Sequence, residues 1–120
     1  NADVEAVLTP GERTLSGIEL TRECSPRSLD AVISAGERIS VALVARALEE
    51  RGVPAVPVDA RDFVVTDATY GAAAVDRAAT AERFAALLPG FAGRVPVVTG
   101  FIGRTRDGHT TTLGRNGSDY

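Results

Sequence analysis

Residues 114–120, at the end of the chain, carry the side chains best suited to chemistry. Among the glycines of this segment stand a cation, a hydroxyl and a carboxylate, which are Arg115, Ser118 and Asp119. The threonine-rich run before them predicts a strand that leads through a glycine-rich turn into a helix. The first N–H groups of a helix attract anions, and an arginine can bind a carboxylate or phosphate through two hydrogen bonds. The segment therefore predicts an anion site, with an ordinary loop and a capped helix as the alternative.

Glu37 is the second residue of interest, because of the side chains that follow it. Val41, Val44 and Leu48 recur at helical spacing, so a helix here places Glu37 at the head of its buried stripe. A carboxylate in that position needs a partner. Two interpretations stay open: a binding residue, or a capping box in which Glu37 reaches back to the backbone of Ser34.

Structural roles are expected for the other reactive side chains. Cys24 is the only cysteine and is expected to be at least half-buried, whereas His109, the only histidine, lies beside a turn and is expected to be solvated. Single histidine and cysteine residues provide neither a zinc site nor a histidine–acid relay for a serine. Arg104 and Arg106 are expected on the exposed side of a hairpin. We predict no metal site.

The bulk composition bounds the class of protein. A chain of 120 residues, 44% hydrophobic, fits one domain over residues 1–120, and no apolar run is long enough to cross a membrane. The net charge of −3 gives no reason to expect nucleic-acid or anionic-membrane partners. A single cysteine and no secretory signal predict a cytoplasmic protein. All 13 basic residues are arginine, which suggests a GC-rich bacterial gene, and Asn1-Ala2 resembles the remnant of a cleaved tag.

Helical and strand patterns alternate along the chain, which predicts an α/β sandwich. The predicted helices cover 13–23, Pro26 to Ile33 with Ser25 as N-cap, roughly 36–51 ended by Gly52, and 81–88 capped by Thr80. Residues 3–12 are predicted to be irregular or weakly helical, because Pro10-Gly11 interrupts the pattern. The predicted strands cover 53–58, 63–65 and 95–99, the last buried by its continuous apolar run, followed by a hairpin over 101–113 that turns at Asp107-Gly108.

Several segments in series match the signature blocks of one known family. The segment from Val98 to Gly103 and the segment from Thr110 to Tyr120 together resemble the second signature block of the aspartate kinases. Upstream, Ser25 to Asp30 and Ser34 to Arg38 resemble its central helical block, and Val58 to Asp62 with Val65 to Asp67 its middle segment. The similarity covers about residues 13–120 in order, and blocks in series are more specific than any one of them.

The resemblance implies a fold and a reaction. The fold is a partial three-layer αβα sandwich of the amino-acid-kinase (carbamate-kinase-like) type, with a largely parallel sheet, expected to be truncated at both ends. The reaction is transfer of the ATP γ-phosphoryl group to the side-chain carboxylate of L-aspartate, the first step toward lysine, threonine and methionine. ATP and Mg²⁺, which arrives with ATP, are the implied cofactors, and a homo-oligomer is expected.

The resemblance also implies residue roles. Glu37 would recognise the α-amino group of the substrate and Arg115 its α-carboxylate, while Phe101, Ser118 and Thr112 would line the substrate side. Asp119 would lie near the phosphoryl-transfer centre, with Gly114 and Gly117 beside the phosphates. Because an amino acid is a zwitterion, one acid and one arginine on opposite sides suit it. The role implied for Glu37 takes precedence over the capping box, although one side chain can serve both.

Three hypotheses follow. In the first, the chain is a central piece of an aspartate kinase, alone or within a bifunctional enzyme, and is inactive by itself because the family's lysine-containing phosphate loop is not among its residues. In the second, it is a non-catalytic aspartate-binding or interaction module derived from the kinase. In the third, it belongs to a sister kinase acting on glutamate, acetylglutamate or a nucleotide, but Arg115 in Gly-Arg-Asn-Gly-Ser-Asp disfavours that assignment.

Overall fold

A computed structural model describes residues 2–114 of the chain. It begins with helix α1, Ala2–Thr21, which packs against helix α2. Residues 3–12 were predicted to be irregular or weakly helical, and they belong to this helix, because α1 continues through Pro10. Proline removes one helical hydrogen bond, but packing against a neighbouring helix can outweigh that local cost. Among the described residues, no helix is long and apolar enough to span a membrane.

Helix α2 runs without a break from Pro26 to Glu50. Its start is as predicted, since the Ser25 side chain accepts the Ser28 N–H at the N-cap. The predicted break before a second helix is wrong: Ser34 is 1% exposed inside α2, and its hydroxyl donates to the Ala31 carbonyl. Ser34 therefore caps nothing, and a capping box with Glu37 is excluded.

The buried face of α2 is rotated by one position from the predicted stripe. Its buried residues are Asp30, Ser34, Val41, Ala42 and Ala45, whereas Val44 is 47% exposed. Glu37 is half-buried at the edge of this face. The helix ends at the predicted place, where Gly52 adopts the left-handed conformation with a φ of 81°.

Within residues 2–114, five short strands form two small sheets. The strands are β1 (Ala55–Val58), β2 (Val65–Thr66), β3 (Val95–Val98), β4 (Ile102–Thr105) and β5 (Thr110–Thr112). Strands β1 and β3 pair in parallel, while the second sheet has the order β2-β4-β5, with β2 parallel and β5 antiparallel to β4. The predicted hairpin is confirmed, and Gly108, with a φ of 92°, provides its turn.

Strand β3 lies at a sheet edge and is not the buried strand that its apolar run suggested. Val95 is 46% and Val98 41% exposed. Helix α2 packs against β1, β3 and β5, but it does not cover these two side chains. An apolar run shows that a strand can be buried, and it does not show what covers it.

Helix α3, Arg77–Leu87, begins earlier than predicted. Its N-cap is Asp76, whose carboxylate accepts the Ala79 N–H. Thr80, the predicted cap, lies in the first turn, and its hydroxyl instead accepts the N–H of Val65 in β2. The helix is followed by a 3₁₀ turn at Leu88–Phe91.

The core lies around Ile102 in β4, which is 1% exposed. Val58, Ala60 and Phe63 complete its buried centre, and the Phe63 ring packs against that of Phe84 in α3 at 5.0 Å between centroids. This core fixes the start of β4, and therefore the turn that precedes it.

Candidate functional site

Glu37 reaches the turn between β3 and β4. Its Oε2 accepts a hydrogen bond from the Gly100 N–H at 3.3 Å. The seven-residue spacing from Asp30 places both carboxylates on one face of α2. One oxygen of Glu37 is therefore held by the backbone beside Phe101.

The turn that Glu37 contacts has a strained backbone. Phe101 has a φ of +66°, and the Ile102 N–H donates to the Gly100 carbonyl at 2.8 Å. A hydrogen bond spanning three residues with a positive central φ marks the rarer, strained form of the γ-turn. Such strain in a residue other than glycine concentrates at binding and catalytic sites.

The end of β5 lies beside the same turn. The Leu113 N–H donates to the Phe101 carbonyl at 2.9 Å. Thr112, which is 1% exposed, donates through its N–H and its hydroxyl to Asp30, each at 2.9 Å. The chain therefore leaves β5, toward residues 115–120, at a point held by both α2 and the Phe101 turn.

Residues 67–76, called the 67–76 loop below, form a second support for this end of β5. The Ala73 N–H donates to the Thr112 carbonyl at 2.9 Å. Gly114, with a φ of 78°, lies so close to the loop that a Cβ added there would be 3.5 Å from the Gly71 oxygen. Within the loop, Asp67 accepts the N–H groups of Thr69 and Ala74, and these bonds lower the pKa of its carboxyl.

A cluster of three charged side chains includes Arg38, the residue that follows Glu37 in sequence. Asp59 pairs with Arg61 at 2.7 Å and with Arg38 at 3.3 Å, and Arg61 also donates to the Thr110 hydroxyl. Burial raises the pKa of Asp59, but the hydrogen bonds and charge of Arg61, together with Arg38, outweigh it and lower that pKa. Burial also lowers the pKa of Arg38, and the charge of Arg61 adds to this. The cluster ties α2 to the end of β1 and the start of β5.

A broad cleft of about 1170 Å³ is lined by residues of α3 and by Gly100, Phe101 and Ile102 of the turn. Alanine, valine and phenylalanine side chains dominate its lining, among them Phe63, Phe84 and Phe101. Glu37 does not line this cleft, but Gly100, which donates to Glu37, does. The turn is thus shared by an apolar cleft and a fixed carboxylate.

Comparison with known proteins identifies the family. The profile of the amino acid kinase family matches residues 3–120. The chain belongs to the amino acid kinase family.

Relatives within this family confirm the resemblance to aspartate kinases. An aspartate kinase of Stutzerimonas stutzeri is 41% identical over 107 residues, which cover 85% of this chain and 25% of the relative. The lysine-sensitive aspartokinase 3 of Escherichia coli is 41% identical over 115 residues, which cover 91% of this chain and 26% of the relative. The crystal structure of E. coli aspartokinase III in complex with aspartate and ADP matches with a TM-score of 0.89 at 38% identity, over 99% of this chain and 26% of that one.

The fold of the amino acid kinase family is therefore confirmed for this α/β chain. The chain spans about a quarter of the length of the curated relatives it matches. The described residues of this part of the fold form helices, one parallel pair of strands and one mixed sheet.

Four of the predicted site residues lie in the described part of this family member. The structure brings Glu37 and Phe101 together through Gly100, and Thr112 and Gly114 together through the end of β5. Arg115, Gly117, Ser118 and Asp119 lie outside the described residues. Within residues 2–114, no group of three acidic, histidine or cysteine side chains is placed to hold a metal ion.

The sequence argument missed one residue of this site, Asp30. It is 1% exposed and accepts hydrogen bonds from Thr112 and from the Gly71 N–H. Its seven-residue spacing to Glu37 on one helix would have been the signal. The predicted break at Ser34 divided the helix and hid that spacing.

Proposed function

We propose that this chain is the acceptor-binding part of an aspartate kinase, which transfers the ATP γ-phosphoryl group to the side-chain carboxylate of L-aspartate. One observation supports this most directly: Glu37 is fixed at the strained Phe101 turn, and the end of β5 that leads to Arg115 is bonded to the same turn. An acid at this turn, and an arginine that follows in sequence the strand bonded to the turn, match the ammonium and α-carboxylate of a small amino acid.

The proposed reaction needs little covalent help from the protein. An ionised carboxylate oxygen of aspartate attacks the γ-phosphorus, the bond from that phosphorus to the β–γ bridging oxygen breaks, and ADP leaves with its electron pair. Since the nucleophile is already deprotonated, no general base is needed, and catalysis consists of positioning and charge stabilisation. Mg²⁺ would arrive with ATP. Within residues 2–114, no carboxylate cluster is placed to hold the metal.

Each predicted residue keeps a role in the proposal. Glu37 binds the ammonium group through its negative charge and through the carboxylate oxygen that does not accept from Gly100. Arg115 binds the α-carboxylate, and Phe101 and Ser118 line the substrate side. The remaining roles are those of Thr112 beside the substrate, Asp119 near the transferred phosphoryl group, and Gly114 and Gly117 beside the phosphates.

Thr112 would act mainly through its position. Its hydroxyl donates to Asp30 and is buried, so its contribution comes from fixing the end of β5. Gly114 meets a stricter demand, because its φ of 78° is a conformation that residues with a Cβ rarely adopt.

The experiment compares the 120-residue chain with the protein encoded when the flanking coding sequence is included. We expect aspartyl phosphate, trapped as its hydroxamate, from the longer protein with L-aspartate and Mg·ATP. We expect none from the chain alone, which contains no lysine to stabilise the phosphates. Absence of L-aspartate phosphorylation by the longer protein would refute the proposed function, and turnover by the chain alone would refute its predicted inactivity.

The second candidate is a non-catalytic aspartate-binding or interaction module. The fixed Glu37 carboxylate favours it, since that contact is formed within the described residues. Calorimetry of the chain with L-aspartate and no ATP separates the two. Tight binding combined with an inactive longer protein would favour the module, whereas binding dependent on flanking residues and ATP supports the kinase.

The partners of the proposed enzyme follow from its chemistry. L-Aspartate and ATP are the small-molecule partners, and their use places the enzyme in the cytoplasm. We also propose a homo-oligomer, because large apolar side chains such as Leu20, Leu15 and Leu43 are more than half exposed. Sedimentation of the longer protein as a monomer at high concentration would contradict this.

A further inference from the structure

Asp30 is a buried carboxylate that the proposed phosphoryl transfer does not use. It lies in the second turn of α2 and is 1% exposed. Its Oδ2 accepts the N–H groups of Gly71 and Thr112, and its Oδ1 accepts the Thr112 hydroxyl, each at 2.9 Å. Every one of these donors belongs to a segment distant from α2 in sequence.

Together these bonds join three segments at one point. Asp30 belongs to α2, Gly71 to the 67–76 loop, and Thr112 to the end of β5. The 67–76 loop is bonded independently to the same strand end through Ala73. Asp30 therefore determines where β5 ends relative to α2.

The same helix carries Glu37, and the contacts close into a ring. Seven residues of α2 separate Asp30 from Glu37, a rise of about 10 Å. Glu37 bonds to Gly100, and the next residue, Phe101, accepts the N–H of Leu113. Leu113 follows Thr112, which bonds back to Asp30.

A purely structural role does not account well for a carboxylate at this position. Among the described residues, no arginine or histidine forms an ion pair with Asp30 within 4.0 Å. A buried carboxylate without a cation is costly, and apolar packing would stabilise a helix more simply. What the carboxylate adds is three acceptor bonds, all directed at segments that enclose the site.

We propose that Asp30 is a positioning residue of the acceptor site. It fixes the end of β5, the strand that precedes Arg115 in sequence, relative to Glu37 on the same helix. This inference rests on the proposed function, because it assigns Arg115 and Glu37 to one substrate.

The kinetic test compares Asp30→Ala, Asp30→Asn and Ser34→Ala in the longer protein. Alanine removes all three acceptor bonds. Asparagine retains an oxygen that accepts from the two N–H groups. Its side-chain NH₂ group can donate a hydrogen bond to the Thr112 hydroxyl oxygen. Ser34→Ala is the matched control: Ser34 is equally buried on the same face of α2, but its hydroxyl donates to its own helix.

We expect Asp30→Ala to raise the KM for L-aspartate about tenfold or more and to leave the KM for ATP within about threefold. Asp30→Asn and Ser34→Ala should stay within about threefold of the unmodified protein in both constants. A folded Asp30→Ala protein with an unchanged KM for L-aspartate, or with only kcat reduced, would overturn the inference. A reduced kcat with an unchanged KM indicates that fewer enzyme molecules are active, and not that the substrate is positioned less well.

A second measurement does not depend on any variant or on activity. Amide exchange of the unmodified 120-residue chain, followed by NMR, should show the Gly71 and Thr112 N–H groups protected well above exposed loop amides. Exchange of both at the rate of exposed amides would overturn the inference even if Asp30→Ala does not fold. If the longer protein lacks kinase activity but these amides are protected, the proposed function fails while the attachment of β5 to Asp30 stands.

Discussion

The Glu37 carboxylate accepts a hydrogen bond from the Gly100 N–H, 63 residues away in sequence, at 3.3 Å. This contact gives Glu37 a defined orientation beside the Phe101 turn. It also separates two functions of the side chain, because accepting from a backbone N–H requires an oxygen, whereas binding an ammonium group requires the negative charge.

Glu37→Gln tests that separation. Glutamine retains an oxygen for Gly100 but loses the charge, so the protein should remain folded while its affinity for L-aspartate falls. The expected loss is about 1.5–3 kcal/mol, or roughly 10- to 150-fold in the KM for L-aspartate, as for a hydrogen bond to a charged group. Steady-state kinetics of the longer protein, with thermal unfolding measured in parallel, provide the readout.

The control for that experiment is Glu49→Gln. Glu49 is exposed on the same helix, one residue before its end, so the change in net charge is identical. If Glu49→Gln raises the KM as much as Glu37→Gln does, the effect belongs to the overall charge and Glu37 has no specific role.

The start and end of α2 could be predicted from the sequence, because the interactions that fix a helix end are local. Ser25-Pro26 starts α2, and Gly52 follows its end with the positive φ expected of it. The break at Ser34 was wrong because burial depends on what packs against the helix. Ser34 lies inside the protein, where a hydroxyl bonded to its own helix replaces the expected cap.

In the candidate site, too, local features could be predicted from the sequence and long-range contacts could not. Helical spacing predicted Glu37 at the head of the buried stripe, and the structure has it half-buried at the edge of the buried face. The threonine-rich run before the glycine-rich segment predicted the strand β5. Asp30 was missed because the predicted break at Ser34 hid its spacing to Glu37, and because its partners, Gly71 and Thr112, lie 41 and 82 residues away. No local pattern specifies such contacts. Only the assembled fold shows that Asp30 bonds to the end of β5 and Glu37 to the Phe101 turn, and that these two segments are bonded to each other.

Gly103 in β4 is predicted to tolerate no side chain. A Cβ there would lie 2.7 Å from the Thr66 Cγ2 and 3.1 Å from the Val64 carbonyl oxygen, so backbone would have to move. Gly103→Ala should lower the free energy of unfolding by about 1–3 kcal/mol, as overpacking does. Gly17→Ala in α1 should instead raise it by about 0.5–1 kcal/mol, since nothing lies within 4 Å of its Cβ position. Urea unfolding measures both, and equal effects of the same sign would contradict the structure.

Arg22 is a candidate for stabilisation, because it ends α1 in the left-handed region with a φ of 53°. Its N–H donates to the Ile18 carbonyl at 2.7 Å, and its side chain is exposed. Glycine at the residue after a helix avoids the steric cost of a Cβ in this conformation. Arg22→Gly should raise the free energy of unfolding by about 0.5–1 kcal/mol. Arg22→Ala retains the Cβ and should give no such gain in the same unfolding experiment; an equal gain would assign the effect to the lost charge.

Asp59 should make stability depend on pH in the acid range. Its pKa in the folded chain lies below the usual value of 3.8, because the bonds and charge of Arg61 and the charge of Arg38 outweigh its burial. A depressed folded pKa means that the contribution is present above the unfolded pKa and is lost as pH falls through the folded one. Asp59→Asn should therefore cost about 1–3 kcal/mol at pH 7, and its difference from the unmodified chain should shrink below about pH 4. Guanidinium unfolding at pH 7, 4, 3 and 2 measures this, with Asp107→Asn, whose side chain is 80% exposed, as the control. A difference that stays constant down to pH 2 would mean that the Asp59 charge does not stabilise the fold.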